Sequence, residues 1–374
     1  MRKAALAVLG ALTALTIVAG CGSDPDSDAD SHAPSSSESI AGALRWVPDT
    51  ADTRKMVTVN LYDAAWAASG SDRDAQGAVM ALSSAVDGAG AAPSQLFVGR
   101  RMAPDQMQTV AGYDPVHLDS DVTAGAPPHQ FVAATGDFDT GAITKALSKT
   151  VGEAATTRKV DDTQVVSWLE DNAMEPGLHD PIQQAGMSGR VAVTDGEIAY
   201  ARSDADIKAM IVAASGDRQS LADVNSLVSA ADALDDAGVY SAMLGTSRYG
   251  GVAAALGDKP ESPEKMQKHM RRLAASALQP YQAFGIGEAK PDGTPTMIVV
   301  LVMGDHEGAR ANATKLREKV RKGSSLVAQK PWAKLLSNPR IEVHDKVVTA
   351  KFAVENPTLW HRIVPEQDSL LATK

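Results

Sequence analysis

The segment Arg190-Val-Ala-Val-Thr-Asp-Gly-Glu-Ile-Ala-Tyr-Ala201 alternates apolar and polar residues on both sides of Asp195-Gly196. Such a pair between alternating runs is typical of a type I′ turn that joins two antiparallel strands. A second segment, Arg340-Ile-Glu-Val-His-Asp-Lys-Val-Val-Thr-Ala-Lys351, aligns with the first and places Asp345-Lys346 at the same turn. A hairpin that occurs twice in one chain indicates an internal duplication.

A strand that leads into a helix precedes each predicted hairpin. In the first part of the chain, the run Phe131–Asp139 leads into a helical pattern over Thr140–Thr150. In the second part, Met297–Glu307 leads into a helical pattern over Gly308–Lys322. The apolar face of this second helix is formed by residues at intervals of four, three and four, namely Ala309, Ala313, Leu316 and Val320. The repeat therefore extends beyond the hairpin.

Looser matches continue the repeat toward the start of each part, in the same order. The matched pairs are the strands Val57–Leu61 and Val239–Leu244, the helices Asp74–Val86 and Ser262–Leu278, and the strands Gln95–Gly99 and Tyr281–Gly287. This order predicts an α+β fold of two similar halves, each a mostly antiparallel sheet with helices on one face, joined by a helical segment. The alternative is that the similarity reflects only common hairpin chemistry.

The N-terminus has the pattern of an export signal. Arg2 and Lys3 precede an uncharged stretch, Ala4–Ala19, that is rich in Ala, Leu and Val. These sixteen residues are fewer than the ~20 that a permanent membrane-spanning helix needs, so the stretch is typical of a secretory signal. Cys21 follows almost at once and is the one cysteine among 374 residues, so it cannot form an internal disulfide.

The run Val18-Ala19-Gly20-Cys21 resembles the lipobox of bacterial lipoproteins. The resemblance implies that the thiol of Cys21 receives a diacylglyceryl group and that a peptidase cuts between Gly20 and Cys21. It further implies a protein anchored by fatty chains such as palmitate at the extracytoplasmic face of the cell membrane, with the lipid bilayer as a partner through acylated Cys21. An ordinary signal with an incidental cysteine is the alternative.

The chain divides into six predicted parts. They are a lipoprotein signal peptide at 1–20, a disordered acidic tether rich in Ser and Asp at 21–39, a first α+β half at 40–202, a helical connector at 203–237, a second α+β half at 238–354 and a C-terminal tail at 355–374. The tether is expected because residues 22–39 hold no bulky apolar residue. Residues 40–374 resemble, in broad organisation only, uncharacterised exported bacterial proteins with Trp46-Val47-Pro48 before a strand.

Charge and absent motifs exclude several classes of function. The formal net charge is −10, and it becomes −12 without Arg2 and Lys3. This acidic balance argues against a nucleic-acid partner and against electrostatic adhesion to anionic lipid. The sequence has no Gly-x-Ser-x-Gly elbow, no His-Glu-x-x-His zinc motif and no Gly-rich phosphate loop. We therefore predict no catalytic residue, no metal ligand and no cofactor.

Two matched sets of polar residues lie between a predicted strand and the helix that follows it. Asp137 and Asp139 form the first set, and Asp305, His306 and Glu307 form the second. One interpretation is that the two sets face one another across the interface between the halves and bind a cation or a polar ligand. The other is that they satisfy free N–H groups at a helix start and oppose the helix dipole.

Together these patterns predict a membrane-anchored extracytoplasmic lipoprotein whose non-catalytic body binds a ligand or another protein in the cell envelope. The absence of a catalytic motif and a two-lobed body with room for a groove between halves motivate this prediction. The partner would be an envelope protein or an apolar or other small molecule. The alternative is an envelope enzyme, a hydrolase acting on cell-wall material, with carboxylates drawn from separate loops.

Overall fold

A computed structural model describes residues 39–70, 104–178, 182, 186–246 and 277–373 of the chain. Outside these residues lie the predicted signal peptide at 1–20, Cys21 and the rest of the predicted tether except Ser39, the predicted helix Asp74–Val86 and the predicted strand Gln95–Gly99. Nearly all of the predicted helix Ser262–Leu278 also lies outside them. The described residues form one compact unit. Among the described helices, none is long and apolar enough to cross a membrane.

The described strands form a single sheet in which every pairing is antiparallel. They are β1 Val57–Leu61, β2 Leu118–Ala126, β3 His129–Gly136, β4 Ala155–Val160, β5 Thr163–Trp168, β6 Gly189–Thr194, β7 Glu197–Ala201, β8 Ser241–Gly245, β9 Ala283–Ala289, β10 Thr296–Val302, β11 Leu336–His344 and β12 Val347–Val354. Their order across the sheet is β11-β12-β10-β9-β8-β1-β2-β3-β7-β6-β5-β4.

The helices occur between and after these strands. They are α1 Ile40–Ala43, α2 Tyr62–Ser69, α3 Pro104–Ala111, α4 Thr140–Val151, α5 Asp204–Ala214, α6 Asn225–Asp235, α7 His306–Lys322, α8 Trp332–Leu335 and α9 Trp360–Ile363. The long helix α7 is flanked by the cap residues Asp305 and Gly323, and its apolar residues recur at helical spacing between them.

The sheet consists of two similar halves joined edge to edge, as the repeat predicts. Read outward from the centre, the first half runs β1-β2-β3-β7-β6 and the second runs β8-β9-β10-β12-β11. The helix after the third strand is α4 in the first half and α7 in the second. We call the antiparallel pairing of β1 with β8 the seam. The connector supplies α5 and α6, so the predicted α+β architecture is confirmed.

Three details differ from the sequence prediction. The second strand of the first half is β2, which the sequence did not predict, because several of its polar residues are buried and disturb the alternation. The first half also contains the additional hairpin β4–β5 at the end of the sheet. In the turn between β6 and β7 only Gly196 has a positive φ, of 85°. That turn is therefore not type I′, which needs a positive φ at both central residues.

The two faces of the sheet carry different cores. One continuous cluster, with Val59, Ala133 and Val300, packs against α1, α5 and α6, and we call this side the connector face. On the opposite side, one cluster packs the first half against α4 and a separate cluster packs the second half against α7. We call this side the lobe face. Its apolar core is interrupted at the seam, which leaves a central strip that polar residues occupy.

Candidate functional site

The two predicted polar sets lie at the N-terminal ends of α4 and α7. Asp139 Oδ1 accepts a hydrogen bond from the backbone N–H of Ala142 at 2.7 Å, and Asp305 Oδ1 accepts one from Gly308 at 2.7 Å. The two acids thus cap matched helices with the same geometry. Each bond satisfies a backbone donor that would otherwise have no intrahelical partner.

The remaining members of the sets are exposed. The ring Nδ1 of His306 lies 2.7 Å from the carbonyl oxygen of Asp345, in the turn between β11 and β12. Asp137 and Glu307 are exposed to solvent. Among the described residues, no group of three or more His, Cys, Asp or Glu side chains is placed to hold a metal ion.

The topology keeps the two sets apart. Five strand spacings separate β3 from β10, which is about 24 Å at the usual distance between strands. The two strands also run in opposite directions, so the set after β3 and the set after β10 lie at opposite edges of the sheet. The interpretation that Asp137 and Asp139 face Asp305, His306 and Glu307 is therefore wrong.

The structure instead brings together a row of buried polar side chains across the seam. Glu288, Ser241, Asn60 and Asp121 are direct neighbours in the register of β9, β8, β1 and β2. Each has at most 2% of its surface exposed. Because facing residues on adjacent strands point to the same side, the row lies on the lobe face, in the strip between the two apolar clusters.

The first-half end of this row is well satisfied by hydrogen bonds. Asn60 Nδ2 donates to Asp121 Oδ1 at 2.8 Å, and the hydroxyl of Tyr62 donates to Asp121 Oδ2 at 3.1 Å. The hydroxyl of Ser241 donates to Asn60 Oδ1 at 2.5 Å, which carries the network across the seam. Buried polar groups are stable when they are paired in this way, so the network holds the two halves together.

The second-half end of the row is different. Burial raises the pKa of the Glu288 carboxyl group to about 8, and Tyr240, Trp360 and Lys290 offset this effect only in part. Neither carboxyl oxygen of Glu288 has a hydrogen bond that meets normal distance and angle criteria with the described residues. Glu288 is therefore largely protonated at neutral pH, because a charged carboxylate is costly in a buried site.

The row does not have the geometry of a carboxylate-dependent hydrolase. Three strand spacings separate Glu288 from Asp121, which is about 14 Å at the usual distance between strands. Glycosidase pairs need about 5–9 Å between their carboxyl groups. These two buried acids therefore serve the packing of the seam, and they do not form a catalytic pair.

A small cleft lies on the connector face, where the 3₁₀ segment Leu44–Trp46 crosses β2 and β3. The space in it that water-sized molecules could occupy is about 10 Å³. Small-molecule sites usually enclose about 300–1,000 Å³. Arg45 is paired with Glu197 on β7, and the hydroxyls of Ser120 and Thr135 are 2.8 Å apart. The cleft is therefore small, and its polar groups are engaged with each other.

A buried lysine fixes the C-terminal tail to the second half. Lys319 on α7 donates from Nζ to the carbonyl oxygens of Ser369 at 2.8 Å and Leu370 at 3.2 Å. Burial lowers the pKa of Lys319 to about 7, and the nearby Lys315 lowers it further while Asp368 opposes the shift. Asp368 accepts a hydrogen bond from the backbone N–H of Leu326 at 2.8 Å. The tail is thus an integral part of the second half.

Sequence reasoning missed both the polar row and the buried lysine. The available signal was a polar residue at an otherwise apolar position, such as Glu288 in β9 or Lys319 on the apolar side of α7. The sequence does not show which polar residues contact one another, because Asn60 bonds to Asp121 and Ser241, which are 61 and 181 positions away along the chain.

Comparisons with known proteins add a weak structural likeness. No family model matches the chain, and no curated protein matches it closely. Crystal form I of TP0453 is similar with a TM-score of 0.39 and 9% identity, over 88% of this chain and 98% of that chain. Crystal form III of TP0453 has a TM-score of 0.40 and 10% identity, over 87% of this chain and 98% of that chain. At this level of similarity the comparison assigns no function to the chain.

Proposed function

We propose that this chain is an extracytoplasmic lipoprotein, anchored in the cell membrane by fatty chains on Cys21. The observation that carries this proposal is the position of the chain's one cysteine, directly after an uncharged stretch that two basic residues precede. Two or more acyl chains make such an anchor stable, since each buried methylene contributes about 0.8 kcal/mol. The body beyond the tether then works close to the bilayer.

The body of this lipoprotein binds a partner in the envelope and does not transform one. Three features support a binding role. The matched acids Asp139 and Asp305 are engaged in helix capping, the buried acids Asp121 and Glu288 lie about 14 Å apart, and the cleft beside Arg45 is smaller than usual ligand sites. A surface that contacts a protein or a membrane fits these features better than a deep substrate pocket.

The anchoring is tested by the substitution Cys21→Ser in the full precursor, expressed in a bacterial host that makes lipoproteins. We expect the variant to lose incorporation of labelled palmitate and to leave the membrane fraction or stay unprocessed. Ser23→Ala, two residues away in the predicted tether, is the matched control and should behave like the wild type. If Cys21→Ser matures and stays in the membrane fraction like the wild type, the proposed anchoring is wrong.

A further inference from the structure

The helices on the two faces of the sheet carry opposite charge. On the lobe face, α4 and α7 together hold eight basic residues and two acidic residues, and the net charge is +5 when the buried Lys319, which bonds to the tail, is left out. On the connector face, residues 203–237 hold seven acidic residues and two basic residues, a net charge of −5. The net charge of the whole chain averages over both faces and conceals this separation.

The basic residues of the lobe face reach the surface. The exposed ones are Lys145 and Lys149 on α4 and Arg310, Arg317, Arg321 and Lys322 on α7. The three arginines are seven and four residues apart, which aligns them in one stripe about 16 Å long. Among the described residues, no carboxylate forms an ion pair with Arg310 or Arg321, whereas Lys322 pairs with Glu318 at 2.9 Å. Arg317 donates a hydrogen bond to the carbonyl oxygen of Ile341, so Arg310 and Arg321 are the members of the stripe whose guanidinium groups are available for an anionic partner.

The repeat places the two basic helices at equivalent positions. Helix α4 follows β3 and α7 follows β10, and both pack on the lobe face, one in each half. The basic side chains are thus distributed on both sides of the seam instead of forming a single local patch. Two basic helices on the same side of a sheet are suited to a broad, flat, negatively charged partner.

We propose that the lobe face docks on the anionic phospholipid headgroups of the membrane that holds the lipid anchor. This inference rests on the proposed anchoring, because a tether of 18 residues, from 22 to 39, keeps the body within about 60 Å of the bilayer. Each basic side chain near an anionic membrane contributes about 1 kcal/mol. Arginine suits phosphate because its planar guanidinium can donate two hydrogen bonds at once. Repulsion of the acidic connector face favours the same orientation.

The test measures binding of the mature chain, from residue 21 with Cys21→Ser, to lipid vesicles by sedimentation. We expect binding to phosphatidylcholine vesicles that contain about 30% phosphatidylglycerol, little binding to pure phosphatidylcholine, and release at about 0.5 M salt. The double variant Arg310→Glu/Arg321→Glu should weaken binding roughly thirtyfold or more. The matched control Lys208→Glu/Arg218→Glu changes the net charge equally on the connector side and should bind like the wild type.

Several outcomes would overturn the docking proposal. The first is equal binding of the wild type to both kinds of vesicle, and the second is unchanged vesicle binding of Arg310→Glu/Arg321→Glu. The third is a loss of vesicle binding in the control variant as large as the loss in Arg310→Glu/Arg321→Glu. Binding to soluble polyphosphate that is as tight as binding to vesicles would also overturn it, because the partner would then be a free polyanion. Circular dichroism of each variant separates loss of binding from loss of folding. Since the vesicle assay uses unlipidated protein, its failure is distinguishable from a failure of anchoring at Cys21.

Discussion

The two halves of the sheet each place a buried acid at the same position, but the side chains around the two acids differ in the hydrogen bonds that they offer. Asp121 on β2 and Glu288 on β9 each lie one strand away from the seam, in the same row. Asp121 accepts hydrogen bonds from Asn60 and Tyr62, whereas burial leaves Glu288 with a raised pKa. The backbone frame is repeated, so the difference shows that the neighbouring side chains decide whether a buried acid is paired or protonated.

The largest effect is expected from Glu288, the acid whose pKa is raised by burial. The folded-state pKa of Glu288, about 8, is raised above its ordinary value of 4.5. The unfolded chain releases this proton first, so stability is lost as the pH rises from about 4.5 through 8. We expect the free energy of unfolding of the wild type, relative to Glu288→Gln, to fall by roughly 3–5 kcal/mol between about pH 5 and pH 9.

Urea unfolding of both proteins at the two pH values measures this difference. At about pH 5 the two should have nearly equal stability, because Gln resembles the protonated acid. If Glu288→Gln is less stable than the wild type at about pH 9, Glu288 is charged and paired in the folded protein and the comparison with Asp121 fails.

The paired acid should give the next largest effect. Asp121→Ala leaves the buried donors of Asn60 and Tyr62 without this acceptor, and we expect a loss of about 3 kcal/mol in the free energy of unfolding. Asp137→Ala, at an exposed acid of the same half, is the control and should change stability by less than about 0.5 kcal/mol. If urea unfolding shows that the two substitutions lower the free energy of unfolding equally, the polar row does not stabilise the seam.

The smallest effects are expected at the two helix caps, where the halves are most alike. Asp139→Ala and Asp305→Ala should each cost about 1 kcal/mol, because each removes a bond to a free backbone N–H. Asp139→Asn and Asp305→Asn should stay close to the wild type, since Asn caps helices about as well as Asp. A purely structural role would be contradicted if either Asn variant lost vesicle binding while its melting temperature stayed unchanged. The negative charge at that position would then be required for binding.

The sequence predicted the parts of the fold that depend on local chemistry. The strand–helix unit ending in α7 was readable from the apolar spacing of Ala309 and Leu316 and from the cap at Asp305. The hairpins were readable from their alternation, although only Gly196 of the first turn has a positive φ. Strand β4 was not readable, because its central residues Thr156–Lys159 are exposed and show no alternation.

The candidate sites depended on contacts that no local pattern contains. The register of β1 with β8 sets Asn60 beside Ser241, which are 181 positions apart. The separation of Asp139 from Asp305 follows from the order and direction of the six strands that run from β3 to β10 across the sheet, which hairpin patterns leave open. The charge difference between the faces likewise appears only when α4 and α7 are known to share one side of the sheet.

Native-state hydrogen exchange under increasing denaturant tests most directly that the polar row unites two repeated halves into one body. We expect the slowest amides of β3 in the first half and of β10 in the second to open with the same free energy, because the two halves unfold together. If the amides of β10 exchange through an opening about 2 kcal/mol or more below that of β3, the halves unfold independently and the seam does not hold them as one unit.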